Sequence, residues 1–164
     1  MQYRFDDQDL FEGTGLSVLP EWLDFNGHMN VAYYVLAFDQ MVDGGFDLIG
    51  IDAAYRASRK YTMFALESHI TWQRELHLGD PLRITVQFLG ADSKRLHSLY
   101  RMYHATEGFL AATSEWMQIC VDLEARRSAP WDPQIREKID AVLARQAHLP
   151  RPAEVGRVMQ VRGS

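Results

Sequence analysis

A chain of 164 residues with 47% hydrophobic and 24% charged side chains has the size and balance of one soluble domain with a real core, which excludes disorder and a membrane class. Its formal charge of −5 argues against a general nucleic-acid binder, which carries an excess of Lys and Arg. No apolar run reaches the length of a membrane span, and the opening Met-Gln-Tyr-Arg-Phe-Asp-Asp lacks the order of a signal peptide, so a cytoplasmic protein with no membrane partner is expected.

Residues 1–14 mix polar and aromatic side chains without a period and read as a lead-in. Leu16 to Leu23 alternates, and Pro20 marks it as an edge or bent strand. A dense polar turn follows, with Asp24, Asn26, His28 and Asn30 around Gly27, a residue that permits a positive-φ bend. Val31, Tyr34, Val35, Phe38, Met41 and Val42 then recur at helical spacing, predicting a helix over about 31–49 whose start faces the polar cluster. Gly44 and Gly45 inside that pattern signal a kink or a close approach.

Residues 51–61 predict a short second helix. Thr62 to Leu76 predicts a long strand, with Phe64, Leu66, Ser68, Ile70 and Trp72 on one side and Ala65, Glu67, His69 and Thr71 on the other. Leu78-Gly79-Asp80-Pro81 is a turn. Strands are expected over 82–89, 95–106 and 109–123, and Cys120 in the last of these reads as a core thiol. Pro133 opens a helix carrying Ile135, Ile139, Val142 and Leu143, so that a helix is expected over about 132–148. The tail, 150–164, looks loosely ordered. One domain over 1–149 results, with a core over about 15–123. Its element order favours an α+β fold in which an antiparallel sheet, its last four strands in hairpin succession, wraps one long helix.

The run Asp24-Phe-Asn-Gly27-His28-Met-Asn30 ahead of the helix, and Arg74-Glu-Leu-His-Leu-Gly79-Asp80 closing the long strand, resemble the hotdog-fold acyl-CoA thioesterases of the 4-hydroxybenzoyl-CoA thioesterase-like superfamily. Lys94-Arg95-Leu-His and Asp122-Leu-Glu-Ala-Arg126-Arg127-Ser-Ala-Pro130 are similar to the betainyl-CoA thioesterase group of carnitine breakdown. The resemblance implies hydrolysis of a small acyl-CoA thioester to free acid and coenzyme A. It also implies a homodimer or homotetramer with the active site at a subunit interface. Coenzyme A is then part of the substrate, and no separate cofactor is expected.

Thioester hydrolysis needs an activated water or carboxylate nucleophile, and donors for the oxyanion. Asp24, where the resemblance puts the catalytic carboxylate, is expected to act as base or nucleophile. Free N–H groups around Asn30 to Ala32 would polarise the carbonyl. His28 and Asn30 would orient the reacting groups, and since histidine is the side chain that exchanges protons near neutral pH, His28 also offers a base. The same residues equally make an ordinary helix cap, with Asn30 at the N-cap and Asp24 and Asn26 in turn hydrogen bonds.

Glu67 is a reserve carboxylate whose plainer reading is a solvated or interface residue. Gly27, Val31, Tyr34 and Trp72 are expected to contact the substrate, as are Lys94 and Arg95. Arg74, Lys94, Arg95, Arg101, Arg126 and Arg127 are candidates for the coenzyme phosphates, with Lys94 and Arg95 the most accessible. Trp22, Tyr33, Tyr34, Trp72 and Trp116 include rings suited to a trimethylammonium group. His97 and His104 have opposite parity on their strand, and no metal site is expected. Two other classes stay open: a non-catalytic hotdog module that binds acyl-CoA or a protein partner, and a hotdog dehydratase.

Overall fold

The computed structural model describes residues 1–161. Its elements run β1 (Gln2–Phe5), β2 (Phe11–Ser17), α1 (Val31–Ile49), α2 (Ala53–Arg59), β3 (Tyr61–Trp72), β4 (Pro81–Ala91), β5 (Arg95–His104), β6 (Leu110–Asp122), β7 (Arg127–Ser128) and α3 (Pro133–Arg145). One antiparallel sheet has the order β1-β2-β4-β5-β6-β3, with β7 paired to the end of β6. This is the α+β hotdog arrangement, a sheet around one long helix. None of the helices among the described residues is long and apolar enough to cross a membrane.

The helix and sheet meet through their apolar periods. Along α1, Tyr34, Ala37, Phe38, Met41, Val42 and Ile49 are buried, and they face a sheet surface made of Leu82, Ile84, Val86 and Phe88 from β4 and Leu96, Tyr100 and Met102 from β5. Phe38 packs edge-on against Tyr100 at 6.4 Å between ring centres. Asn30 caps the start of α1 by accepting from the Ala32 N–H, and Gly50, at φ 85°, ends it in a left-handed turn open to glycine. Cys120 lies in this core beneath α2, and burial pushes its thiol up to about 11, which keeps it protonated and inert at neutral pH.

Several expectations need correction. The lead-in is a β1–β2 hairpin at one sheet edge, held by Tyr3 stacked on Phe11; its short strands, interrupted by Gly13 and Gly15, hide the period. The strand expected over 16–23 ends at Ser17, because Pro20 begins a single helical turn that buries Trp22. β3 stops at Trp72 and does not form a hairpin with β4. It passes to the far edge and pairs with β6.

A bulge at Leu66 breaks the register of β3 between Ala65 and Glu67. One extra residue there reverses the facing of everything before it. Phe64 therefore lies opposite Ile119 on the outer face, while Ser68, Ile70 and Trp72 lie opposite Trp116, Ser114 and Ala112 on the helix side.

The tail is not loose over 150–156. Arg101 binds Glu154 through two hydrogen bonds of 2.9 and 3.0 Å, and Gly156 N–H donates to Glu115 Oε2 at 2.7 Å. The segment therefore crosses the outer face of β5 and β6. Residues 162–164 of the expected tail lie outside the described residues.

Gly44 and Gly45 do not kink α1. A Cβ on Gly44 would run into the Tyr3 ring, whose hydroxyl donates to the Gln40 carbonyl at 2.9 Å, whereas a Cβ on Gly45 meets nothing within 4 Å. The two glycines thus separate close approach from helix propensity. Gly44→Ala is expected to lower stability by about 1–2 kcal/mol, as the ring is displaced and its hydrogen bond lost. Gly45→Ala should hold or raise stability by up to about 1 kcal/mol. Urea unfolding of both variants checks this; equal effects of the two would contradict it.

Candidate active site

Two backbone segments meet at the start of α1. The Asp24 turn closes on itself: Asp24 N–H donates to the His28 carbonyl at 2.9 Å, Gly27 N–H to the Asp24 carbonyl at 3.0 Å, and Leu23 and Met29 form a bridge. Gly27 supplies the left-handed corner at φ 79°. Met29 N–H then donates to the Leu76 carbonyl at 2.8 Å, joining the turn to the segment that leaves β3. Leu76 is fully buried, so this junction is anchored in the core.

Between the two segments lies an open cleft of about 380 Å³, lined by Asp24, Asn26, His28, Met29, Val31, Tyr34, Trp72, Gln73, Arg74 and Glu75. Its floor is aromatic. Tyr34 is buried and meets Trp72 edge-to-face at 6.5 Å, while Trp72 keeps 48% of its surface exposed. Burial raises the Tyr34 phenol above its ordinary value, so it stays a neutral donor. Asp24 is half-buried, and its Oδ1 accepts from the Asn26 N–H at 2.8 Å, which fixes the carboxylate with no ion-pair partner among the described residues.

The expected cap is present in these residues, and it decides which helix-start donors stay free. Asn30 is the N-cap; its own N–H is taken by the Trp22 carbonyl and its side chain occupies Ala32 N–H. The Val31 N–H has no partner among the described hydrogen bonds, which narrows the expected set of donors to one. It points from the first residue of a nineteen-residue helix, where the dipole favours developing negative charge. His28 meets the segment that leaves β3. Its Nε2 stands 3.4 Å from Glu75 Oε2, and its ring lies edge-on to His77 with centres 5.0 Å apart.

Other expected residues lie elsewhere. Glu67 is exposed on the face opposite α1, in a second cavity with His69, His97, Glu115 and Arg157. The bulge at Leu66 and the pairing of Glu67 with Met117 set it there, away from Asp24. Trp22 and Trp116 are core residues, and Tyr33 stacks on Trp22 at 5.6 Å.

Of the cations, only Arg74 borders the cleft, with its guanidinium over the Phe109 ring and 3.5 Å from Glu107. Arg101 is committed to Glu154. Lys94 and Arg95 sit in the β4–β5 turn, where Arg95 pairs with Asp92 at 2.7 Å; Arg126 and Arg127 are near the same end of the sheet. That end is separated from Asp24 by the ten-residue length of β5, about 30 Å. Glu75 and His77 were not singled out in the sequence. They become neighbours of His28 only through the Met29–Leu76 junction, which no local pattern reveals.

The fold sets the class of protein: an α+β hotdog sheet whose long central helix starts at a polar turn that carries a carboxylate. The chain belongs to the thioesterase-like superfamily, whose family model matches residues 18–139. It is 37% identical over 142 residues to the betainyl-CoA thioesterase of Pseudomonas aeruginosa strain PAO1, covering 87% of this chain and 89% of that one. It is also 34% identical to the L-carnitine dehydrogenase/betainyl-CoA thioesterase of Rhizobium meliloti, spanning 83% of this chain and 27% of that longer protein. Among solved structures, a Staphylococcus aureus protein in complex with CoA superposes with a TM-score of 0.87 at 30% identity, covering 93% of this chain and 96% of that one. The chain is therefore a thioesterase by family.

Proposed function

We propose that the protein hydrolyses a small acyl-CoA thioester, with betainyl-CoA as its preferred substrate, and that Asp24 drives the reaction. The observation that carries this is the cleft itself: a carboxylate fixed beside a free helix-start N–H, above an aromatic floor. Asp24 takes the proton of a water that attacks the acyl carbon, or attacks it directly to form a mixed anhydride that a water hydrolyses once the thiol has left; its position serves both. The Val31 N–H receives the oxyanion. The C–S bond then breaks, the sulfur leaves as coenzyme A thiol after gaining a proton, and the acid departs.

The choice of acyl group is supported by the Pseudomonas relative and by the Tyr34–Trp72 pair. A trimethylammonium group placed against an exposed indole gains cation–π attraction of about 1–2 kcal/mol. The acidic rim of Asp24 and Glu75 favours the same charge.

We further infer a homodimer formed through β3, an edge strand with no neighbour beyond it among the described residues. Phe64, Leu66 and Trp72 are exposed along it, as are Val31, Val35 and Leu36 on α1. Antiparallel pairing of two β3 strands brings the start of one beside the end of the other. The partner's β4–β5 turn, with its Lys94 and Arg95, thereby approaches the Asp24 cleft, which accounts for phosphate-binding cations that lie far from Asp24 within one chain. Arg74 is the cation that each chain supplies to its own cleft. A cytoplasmic location belongs to the same proposal, because acyl-CoA esters are metabolites of that compartment.

A panel of acyl-CoAs followed by thiol release tests the reaction. Turnover should be highest on betainyl-CoA, and Trp72→Ala should lower kcat/KM for that substrate about tenfold while changing acetyl-CoA less. Saturable coenzyme binding with no thiol release from any member would instead indicate the binding module. For the assembly, Leu66→Glu should give a monomer by light scattering together with at least tenfold weaker turnover. A wild-type monomer would contradict the dimer, and a fully active monomeric variant would contradict the partner's share in the site.

A further inference from the structure

Beyond hydrolysis, we propose that the mouth of the cleft is a transition-metal site, built from His28, Glu75 and His77, at which Zn²⁺ binds and closes the active site. The three side chains offer two imidazole nitrogens and one carboxylate oxygen, and these ligand atoms all lie within 4.8 Å of one another. That is the donor set of a three-ligand zinc site with one position open. Bonds of 2.0–2.1 Å in tetrahedral geometry bring ligand atoms to about 3.3 Å apart. The His28 Nε2 to Glu75 Oε2 separation is already 3.4 Å. The other separations, at up to 4.8 Å, have further to close, and Glu75 and His77 are exposed side chains.

The backbone is preorganised for this. Met29 N–H to Leu76 O, at 2.8 Å, locks the residue after His28 to the residue between Glu75 and His77. His77 is fixed from its other side as well, since its N–H donates to Asp80 Oδ2 at 2.8 Å and its Nδ1 stands 3.8 Å from the same oxygen. A carboxylate beside Nδ1 favours Nε2 as the metal ligand, which is how zinc-bound histidines are commonly oriented.

An ion there would sit in the wall of the cleft that also holds Asp24 and Asn26. It would pin His28 and Glu75 across the entry and place a positive charge where the proposed cationic acyl group must pass. The expected consequence is reversible inhibition.

Calorimetric titration of the purified, metal-stripped protein with Zn²⁺ tests the site independently of activity. One ion per chain is expected, with at least tenfold weaker binding to His77→Ala, a variant of a residue with no part in the proposed reaction. Unchanged affinity in that variant, or no binding to the wild type, would overturn the site. The inhibitory role rests on the proposed hydrolysis and has its own reading: Zn²⁺ should suppress thiol release by the wild type, a chelator should restore it, and His77→Ala should resist. Binding without inhibition would overturn the closure, and absence of metal-free turnover would fall on the proposed reaction while leaving the binding result intact.

Discussion

Everything at the cleft depends on one junction, the hydrogen bond from Met29 N–H to the Leu76 carbonyl over a fully buried Leu76 side chain. A turn rich in Asp, Asn, Gly and His has little reason to hold one shape by itself. Tied on one side to the segment leaving β3, and on the other to Trp22 through Asn30 N–H, it becomes part of the core's framework. The core then positions a carboxylate, a helix end and two aromatic rings around the same opening.

At the helix start, the cap also decides which backbone donor is left free. Asn30 caps α1 and uses up two of the N–H groups that the sequence made available, its own and that of Ala32. This leaves the Val31 N–H at the mouth of the cleft. Capping therefore selects the donor: a helix start with every N–H open would bind water at several positions, whereas this one presents a single group.

Much of this is legible in the sequence. The period of α1, the strand faces of β4 and β5, and the polar turn at Asp24 all follow from residue spacing, and they survive because each apolar stripe has one place to be buried. What was not legible depends on events without a local pattern. The Leu66 bulge reverses the facing of Phe64 and Ala65 through one unpaired residue. The β1–β2 hairpin is too short to show alternation. The grip on residues 150–156 comes from Arg101 and Glu115, far away in the chain. At the site, Asp24, His28, Tyr34 and Trp72 could be named in advance, but Glu75 and His77 could not, and the separation of Lys94 and Arg95 from Asp24 appears only once the strand directions are known.

Asp24 carries the central claim, and Asp24→Asn tests it most directly. Asparagine keeps the oxygen that accepts from the Asn26 N–H, so the turn and the melting temperature should be preserved, while the carboxylate proposed to activate the nucleophile is gone. The account predicts that kcat on the best acyl-CoA substrate falls about a hundredfold or more. Near-normal turnover by Asp24→Asn, with the loss appearing instead in Glu67→Gln, would contradict it.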